Sequence, residues 1–390
     1  VKTLERVYKN YYYIIRGKKE NLLGVSVQKQ FIQSIANTVG TDFTKYKIVK
    51  KGQFTYIPDT SRRGDKIAIA LLEDYEEGLV SNVYTVFEVI DTEKLLPEYL
   101  MLWFSRPEFD RYARFKSHGS VREVMDWEEM CKVELPVPDI EKQRKIVKAY
   151  KTITDRIALK QKINDNLVAC IDTIFNEQFG NFKALAESST ANTDFSSLPD
   201  GWTIENAVHS FDISIGKTPP RSEPEWFTSN QTDNVWISIA DMKTNSPFIF
   251  KSAEYLTNEA VKKHNVKIVP ANSVLLSFKM TVGRVAIVTN EVTTNEAIAH
   301  FPCTKENLFF VYCYLKNFNY GYLGSTSSIT TAINSKIIKE MPFLMPSKKE
   351  LDLFNHKVSG LFEQLKYISK ELDILEELSK MLLPQLLGHC

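Results

Sequence analysis

Residues 146–174 read IVKAYKTITDRIALKQKINDNLVACIDTI and contain the repeat that decides the fold. Nine positions, separated alternately by four and three residues, form one stripe, and only two of them are polar. They are Ile146, Tyr150, Ile153, Ile157, Lys160, Asn164, Leu167, Ile171 and Ile174. This heptad pattern predicts a long helix that packs against a partner helix.

The same pattern returns in the same phase 208 residues later, at the end of the sequence. Pro138 precedes the first stripe and Pro346 the second, while Gly180 and Gly388 follow them. One stripe alone would be compatible with ordinary core packing, but two in phase indicate that one half of the chain repeats the other. The second stripe consists of Phe354, Val358, Leu361, Leu365, Ile368, Leu372, Leu375, Ser379 and Leu382.

Two polar residues, Lys160 and Asn164, interrupt the first stripe. Such positions are either tolerated in a partly open bundle or they fix the register of the pair. In an antiparallel pair related by a pseudo-twofold axis, Lys160 would lie level with Ile368, and Ser379 would lie near Tyr150. Both interpretations remain open from the sequence.

The composition restricts the class of protein. A length of 390 residues predicts at least two domains, and a net charge of +1 means that any surface for a polyanion must be local. Five cysteines without a CxxC pair argue against a disulfide framework or a zinc ribbon and fit a reducing cytoplasm. No apolar run approaches the roughly 20 residues of a membrane helix, so we expect a soluble, cytoplasmic protein.

The segments around the stripes predict the domain organisation. We expect a strand-rich α/β domain over residues 1–138, a long helix over 139–180 ending near Gly180, and a linker over 181–200 that carries the chain around. A second α/β domain over 201–345 and a second long helix over 346–390 follow. The strands that we expect are 47–49, 54–57, 67–72, 83–90, 267–269, 274–278 and 285–288, with helices opening at Pro97 and covering 308–318.

Several motifs point to one family. GKTPPR at 216–221, WISIAD at 236–241, AVKK at 260–263 and VPANSVLLS at 269–277 closely resemble the target-recognition domain of the specificity subunits of type I restriction-modification systems. PVP at 136–138, leading into EKQRKIV at 141–147, resembles a conserved helical region of the same family. The first domain lacks counterparts of the GKTP and WIS stretches.

This resemblance implies an α+β architecture in which two target-recognition domains form a pseudo-twofold repeat, separated by two long antiparallel coiled-coil helices. It also implies a non-catalytic subunit that recognises a bipartite, asymmetric target in double-stranded DNA. Two modification (methyltransferase) subunits, which bind S-adenosylmethionine, and restriction (translocase and nuclease) subunits would be its partners. We expect no cofactor and no metal in this chain.

Basic residues on expected loops are the candidates for DNA contact, although charge runs are more often simply solvated faces. Lys/Arg residues outnumber acids between residues 45 and 66 and again between 106 and 122. The second stretch ends in a polar loop suited to phosphate or base contact. The candidates are Arg62, Arg63, Lys66, Arg111, Arg114, Lys116 and Arg122 in the first domain, and Lys217, Arg221, Lys243, Lys279 and Arg284 in the second.

We find no reactive constellation in the sequence. There is no glycine-rich phosphate loop, no Rossmann fingerprint and no paired metal-ligand spacing. Asp139, Glu141 and Lys142 after Pro138 could suggest a nuclease carboxylate cluster, but acids at a helix start are better explained by the helix dipole. Two alternatives stay open: a coiled-coil scaffold unrelated to DNA, and a self-sufficient DNA methyltransferase or nuclease.

Overall fold

The structure is a computed structural model that describes residues 2–3, 8–10, 21–34, 38, 40–118, 123–188, 195–196, 198–231, 233–244, 246–323 and 333–388. The chain forms two compact units. Unit 1 consists of Val1–Arg156 and Leu375–Cys390, and unit 2 of Ile157–Ile374. Each unit therefore holds one α/β domain and a part of each long helix.

Within the residues that the structure describes, unit 1 contains short strands and three short α-helices. These are β1 (Lys2–Thr3), β2 (Tyr8–Asn10), β3 (Leu23–Val25), β4 (Phe31–Gln33), β5 (Lys47–Lys50), β6 (Phe54–Ile57), β7 (Ala68–Leu71), β8 (Glu77–Val80), β9 (Thr85–Val89), α1 (Pro97–Phe104), α2 (Pro107–Lys116), α3 (Trp127–Cys131) and β10 (Glu134–Leu135).

The main sheet of unit 1 is antiparallel, with the strand order β2-β9-β6-β7. Helices α1 and α2 both begin with proline, which suits the first helical position because no N–H is needed there. The core is aromatic. Phe54 stacks on Phe87 with ring centroids 4.8 Å apart, and Phe104 of α1 meets Phe54 edge-on at 5.8 Å.

Two long helices pass through both units: α4 (Ile140–Glu187) and α9 (Lys348–Leu387). Between them, unit 2 contains β11 (Thr203–Asn206), α5 (Ala207–Ser210), β12 (Ser214–Ile215), β13 (Phe227–Thr228), β14 (Asn234–Ile237), β15 (Phe248–Ile249), β16 (Glu254–Leu256), α6 (Asn258–Lys263), β17 (Ser273–Ser277), β18 (Val285–Val288), β19 (Thr293–Thr294), β20 (Ile298–Pro302), α7 (Leu308–Asn317), α8 (Ser335–Glu340) and β21 (Pro342–Met345).

Unit 2 has two larger sheets, with the strand orders β12-β20-β17-β18-β15 and β13-β16-β14-β19. Every residue of β17 is buried, which explains its unbroken apolar run in place of an alternating pattern. Helix α7 packs against β17 and β18. Its Phe310 lies 4.9 Å from Phe179 of α4 between ring centroids, so the long helix belongs to the core of this unit.

The predicted antiparallel pairing of the long helices is confirmed within each unit. In unit 1, Ser379 Oγ donates a hydrogen bond to the Tyr150 hydroxyl over 3.3 Å, as the pseudo-twofold register predicts. In unit 2, Lys160 Nζ lies 2.7 Å from a carboxylate oxygen of Glu371. Lys160 is therefore paired with an acid less than one turn beyond Ile368, the residue that we expected beside it.

The predicted end of the first helix at Gly180 is wrong, because α4 continues to Glu187. One glycine inside a helix costs only about 1 kcal/mol. The added turns offset this cost, since Phe182 packs on Trp202 at 4.7 Å between ring centroids and Ala186 is fully buried. Residues 181–187 of the expected linker are thus helical, and the rest of the proposed domain division stays a prediction.

The fold class is confirmed as two mixed α/β units with two long helices. Most of the expected strands are present within one or two residues of their predicted ends. The strand expected at 267–269 is absent: only Val269 forms an isolated bridge, to Val292, before Pro270 removes the next backbone donor. Helix α7 matches the predicted helix closely.

Candidate nucleic-acid interface

The loop of residues 216–221 in unit 2 is held tightly against the end of β19 and the start of β20. The Gly216 N–H donates to the carbonyl of Ile298 over 3.1 Å, and the Lys217 N–H donates to that of Thr294 over 2.9 Å. A Cβ on Gly216 would lie 2.1 Å from both the carbonyl oxygen of Asn295 and Oγ1 of Thr294. Glycine is required here because two backbone segments approach closely.

Arg221, the last residue of this loop, contacts a carboxylate and two aromatic rings. Its guanidinium forms two hydrogen bonds to the Glu254 carboxylate, at 2.7 and 2.8 Å, and lies 4.0 Å from the Phe227 ring centroid and 4.8 Å from that of Trp236. Trp236 in turn donates its indole N–H to the carbonyl of Lys217 over 3.3 Å. The two family-like stretches, 216–221 and 236–241, therefore support each other, and Arg221 positions the loop.

Glu296 connects the 216–221 loop to Lys279, which lies on a second loop. The Thr218 hydroxyl donates to its carboxylate, and the cations Lys279 and Arg221 both act on it electrostatically. Partial burial favours a higher pKa for Glu296, but the hydrogen bond from Thr218 and the two cations hold its pKa below the usual value. Lys279 and the 216–221 loop thus lie around one ionised carboxylate.

Arg284 connects a third loop, residues 238–243, to this arrangement. Nη1 of Arg284 donates to the carbonyl of Ile239 over 2.6 Å. The turn after Ile239 is closed by Asp241, whose carboxylate accepts from the N–H and the hydroxyl of Ser238. Lys243 follows this turn and is exposed. The structure therefore links all three loops that carry the unit 2 candidates.

A buried histidine lies beneath the 216–221 loop without solvent contact. The two ring nitrogens of His300 lie 2.8 Å from the Ser214 hydroxyl and 2.7 Å from the Thr294 hydroxyl. Burial lowers the pKa of His300 to about 4, so the ring is neutral at pH 7. With both nitrogens engaged, His300 supports the loop and is not placed as a general base.

In unit 1 the two predicted basic stretches come together. The Thr60 N–H donates to the carbonyl of Glu123 over 3.1 Å, and its hydroxyl donates to the Ser117 hydroxyl over 2.9 Å. Arg114 of α2 pairs with Asp65 at 2.6 Å and also with Glu123. The 60–66 turn and the end of α2 therefore form one surface.

The other unit 1 candidates differ in how far neighbouring acids neutralise them. Lys66 is exposed. Arg111 lies 3.1 Å from Glu108, and Lys116 lies 4.0 Å from Glu129. Arg63 is half-buried, while Arg122, the side chain of Arg62 and most of the predicted 119–123 loop lie outside the described residues.

Lys29 organises this surface, and the sequence analysis missed it. Its Nζ lies 2.6 Å from Asp110 Oδ1 and 2.6 Å from the carbonyl oxygen of Ile67, while the Ile67 N–H also donates to Asp110. Burial lowers the pKa of Lys29, although the contact with Asp110 opposes that shift. The pair anchors the basic 60–66 turn to α2, and no spacing in the sequence could reveal a contact between residues 29 and 110.

One cleft of about 410 Å³ opens beside α2 in unit 1. Arg106 at its wall is buried, stacks on Trp103 with its guanidinium carbon 4.2 Å from the ring centroid, and lies 3.4 Å from Glu108. Lys116, Lys132 and Glu134 also line the cleft. The cleft therefore has both cations and carboxylates among its lining side chains.

Neither a metal cluster nor a membrane span is found in the part of the chain that the structure describes. There, no group of three or more His, Cys, Asp or Glu is placed to hold a metal ion. Nor does any described helix combine the length and hydrophobicity needed to cross a bilayer.

Comparison with known families assigns the chain to a family, over ranges that include both sets of basic loops. Residues 1–169 and 210–380 both match the type I restriction modification DNA specificity domain. The chain belongs to this family. The two matched regions correspond to the two halves that the heptad repeat indicates, so the resemblance inferred from the motifs is confirmed.

Relatives match the chain over most of its length. The Type I restriction enzyme HindI specificity subunit of Haemophilus influenzae is 24% identical, covering 88% of this chain and 87% of that protein. The MjaIX specificity subunit of Methanocaldococcus jannaschii is 23% identical, covering 76% and 70%. The crystal structure of the type I S subunit from M. genitalium, 12% identical, covers 100% of this chain and 96% of that one with a TM-score of 0.57. That structure supports the fold.

Proposed function

We propose that this type I specificity subunit reads a split, asymmetric DNA target, with one half recognised by each α/β domain. The observation that carries the proposal is the double match to the DNA specificity domain, at residues 1–169 and 210–380. Each matched region contains a cluster of basic loops on a folded domain. Two different clusters suit two different half-targets.

The cationic residues of unit 2 differ in the kind of DNA contact for which they are suited. Lys217, Lys243 and Lys279 are exposed, and Lys279 also acts on the carboxylate of Glu296. They are suited to phosphate contact, which gives affinity without sequence preference. Arg221 is already paired with Glu254, so its contribution is to hold the 216–221 loop in a shape that can read bases.

The long helices would set the distance between the half-targets. Helix α4 has 48 residues, which corresponds to about 72 Å at 1.5 Å per residue. The matched contacts between α4 and α9 in each unit support a stiff pair with one register. A helix pair that fixes one distance between the half-targets must be stiff, because a flexible linker would allow several spacings.

Catalysis would belong to other subunits. In this proposal two modification subunits bind S-adenosylmethionine and transfer the methyl group, and restriction subunits translocate and cleave DNA. The family assignment supports a non-catalytic chain.

One experiment separates this function from the alternatives. The purified chain, alone and assembled with its modification partner, is incubated with duplex DNA and S-adenosylmethionine, and binding is followed over a salt series. We expect the assembled complex to bind with a steep salt dependence and to methylate one bipartite sequence. Methylation or cleavage by the chain alone would favour a self-sufficient enzyme, and no salt-dependent binding by the complex would favour a scaffold.

A further inference from the structure

The turn that joins β17 to β18 is unusually well fixed for a loop. The Ser277 hydroxyl donates to the carbonyl of Thr281 over 2.6 Å and accepts the Arg284 N–H over 3.0 Å. The Gly283 N–H donates to the carbonyl of Ser277 over 3.0 Å, and the N–H of the buried Phe278 donates to Ala297 over 2.9 Å. The backbone of this tip, residues 278–284, is therefore held in one conformation.

Met280 lies on this tip with an exposed side chain and a strained backbone conformation. Its side chain is 99% exposed, more than that of any other large hydrophobic residue described; Phe115 follows at 80%. Its φ is +58°, a left-handed value that is uncommon for a residue with a long side chain. Glycine or asparagine would relieve this strain. Neither burial nor backbone preference explains a methionine here, so its presence points to a contact made outside the chain.

The surroundings of Met280 indicate what it contacts. Lys279 precedes it and acts on Glu296, and Arg284 at the base of the tip holds the 238–241 turn. The tip therefore lies among the cationic loops of unit 2. The tip projects from inner strands of the five-stranded sheet, so only the turn itself can approach DNA. The major groove of B-DNA, about 12 Å wide, is roughly twice as wide as the minor groove and has more room for such a turn.

We propose that Met280 enters the major groove and reads a thymine through an apolar contact with its C5-methyl group. The thymine methyl is the apolar group that base pairs present in that groove. A thioether side chain is flexible and polarisable, and it can cover a methyl group without a hydrogen-bond partner. This inference rests on the proposed function, because it names one base-reading residue of the second domain.

The experiment replaces each thymidine of the methylated target by deoxyuridine, one at a time, which removes only the C5-methyl. Binding of each duplex to the complex with the modification subunit is measured for the natural chain and for Met280→Asn, which tolerates the left-handed conformation. For the natural chain we expect one position in the second half-target to weaken binding about fourfold, the equivalent of burying one methyl group. Met280→Asn should bind natural DNA about fourfold more weakly and lose sensitivity at that position.

Val282→Ala is the matched control, since Val282 lies on the same tip and is 37% exposed. It should keep the sensitivity of the natural chain. The melting temperature of Met280→Asn should be unchanged or higher, which excludes misfolding as the cause of weaker binding.

Three results would overturn the inference while leaving the proposed function standing. They are a second half-target in which no deoxyuridine weakens binding, equal sensitivity of the natural chain and Met280→Asn, and loss of the sensitivity in Val282→Ala as well as in Met280→Asn. A complex that binds its target no better than scrambled DNA would instead refute the proposed function itself.

Discussion

Gly216→Ala tests whether the close approach beneath the 216–221 loop shapes the reading surface. The added Cβ would lie 2.1 Å from the Asn295 carbonyl oxygen and 2.5 Å from that of Thr294. Because backbone atoms cannot turn away as a flexible side chain can, the loop must move by roughly 1 Å to reach ordinary contact distances. Overpacking of this kind costs about 1–3 kcal/mol. The hydrogen bonds of Gly216 and Lys217 to β20 and β19 would weaken together.

The assay has two readouts. Thermal unfolding of Gly216→Ala should show a lower melting temperature, and methylation mapping of the assembled complex should show loss of specificity in the second half-target with the first half unchanged. Gly360→Ala is the control, since a Cβ there meets no atom within 4 Å in helix α9. Alanine in that helix should stabilise by about 0.5–1 kcal/mol. Unchanged stability and unchanged specificity of Gly216→Ala would refute the reasoning.

Three further predictions concern Arg221, His300 and the long helices. Arg221→Ala should lower affinity for the second half-target at little cost in stability, because the pair with Glu254 is half-exposed. Arg221→Lys should fail to restore the affinity, because lysine cannot bind a carboxylate bidentately. Duplex binding by the natural chain and the two variants checks this. The contribution of His300 to the free energy of unfolding should be constant above pH 7 and fall from about pH 6.5 to 4, because its pKa is about 4 when folded and near 6.5 when unfolded, so acid favours the unfolded state. His300→Gln should flatten this part of a urea-unfolding pH series, and an unaltered slope would contradict the prediction. Four residues inserted after Asn164 and four near Leu372 lengthen both helices by roughly 6 Å while nearly preserving the helical phase of the residues that follow. Methylation mapping should then show the half-targets one or two base pairs further apart. Unchanged spacing in an active complex would show that the helices do not set the distance between the half-targets.

The periodic parts of the fold could be predicted from the sequence because periodicity reports directly on a packing face. The two heptad stripes gave both the helix pair and its register, as the contact between Tyr150 and Ser379 confirms. Gly180 misled the prediction because a local helix-stop signal is weak against the burial of Phe182 and Ala186. Gly388, by contrast, adopts a φ of +82° just after α9 and matches the expected signal.

The arrangement of the candidate interface could be predicted only in part. The sequence marked the basic loops but could not show that Arg221 is committed to Glu254, which lies 33 residues away. It also missed Lys29, whose partner Asp110 is 81 residues distant. Such contacts depend on how strands and helices bring distant segments together, and no local spacing encodes them. Whether the individual cations touch DNA remains a prediction.

The most direct test of the account is exchange of residues 1–135 for the corresponding domain of another specificity subunit. The hybrid is assembled with the modification partner of this chain, and methylated bases are mapped across a genome. The account predicts a new sequence in one half of the target, with the other half unchanged. Simultaneous loss or change of both halves would contradict the claim that each domain reads its own half.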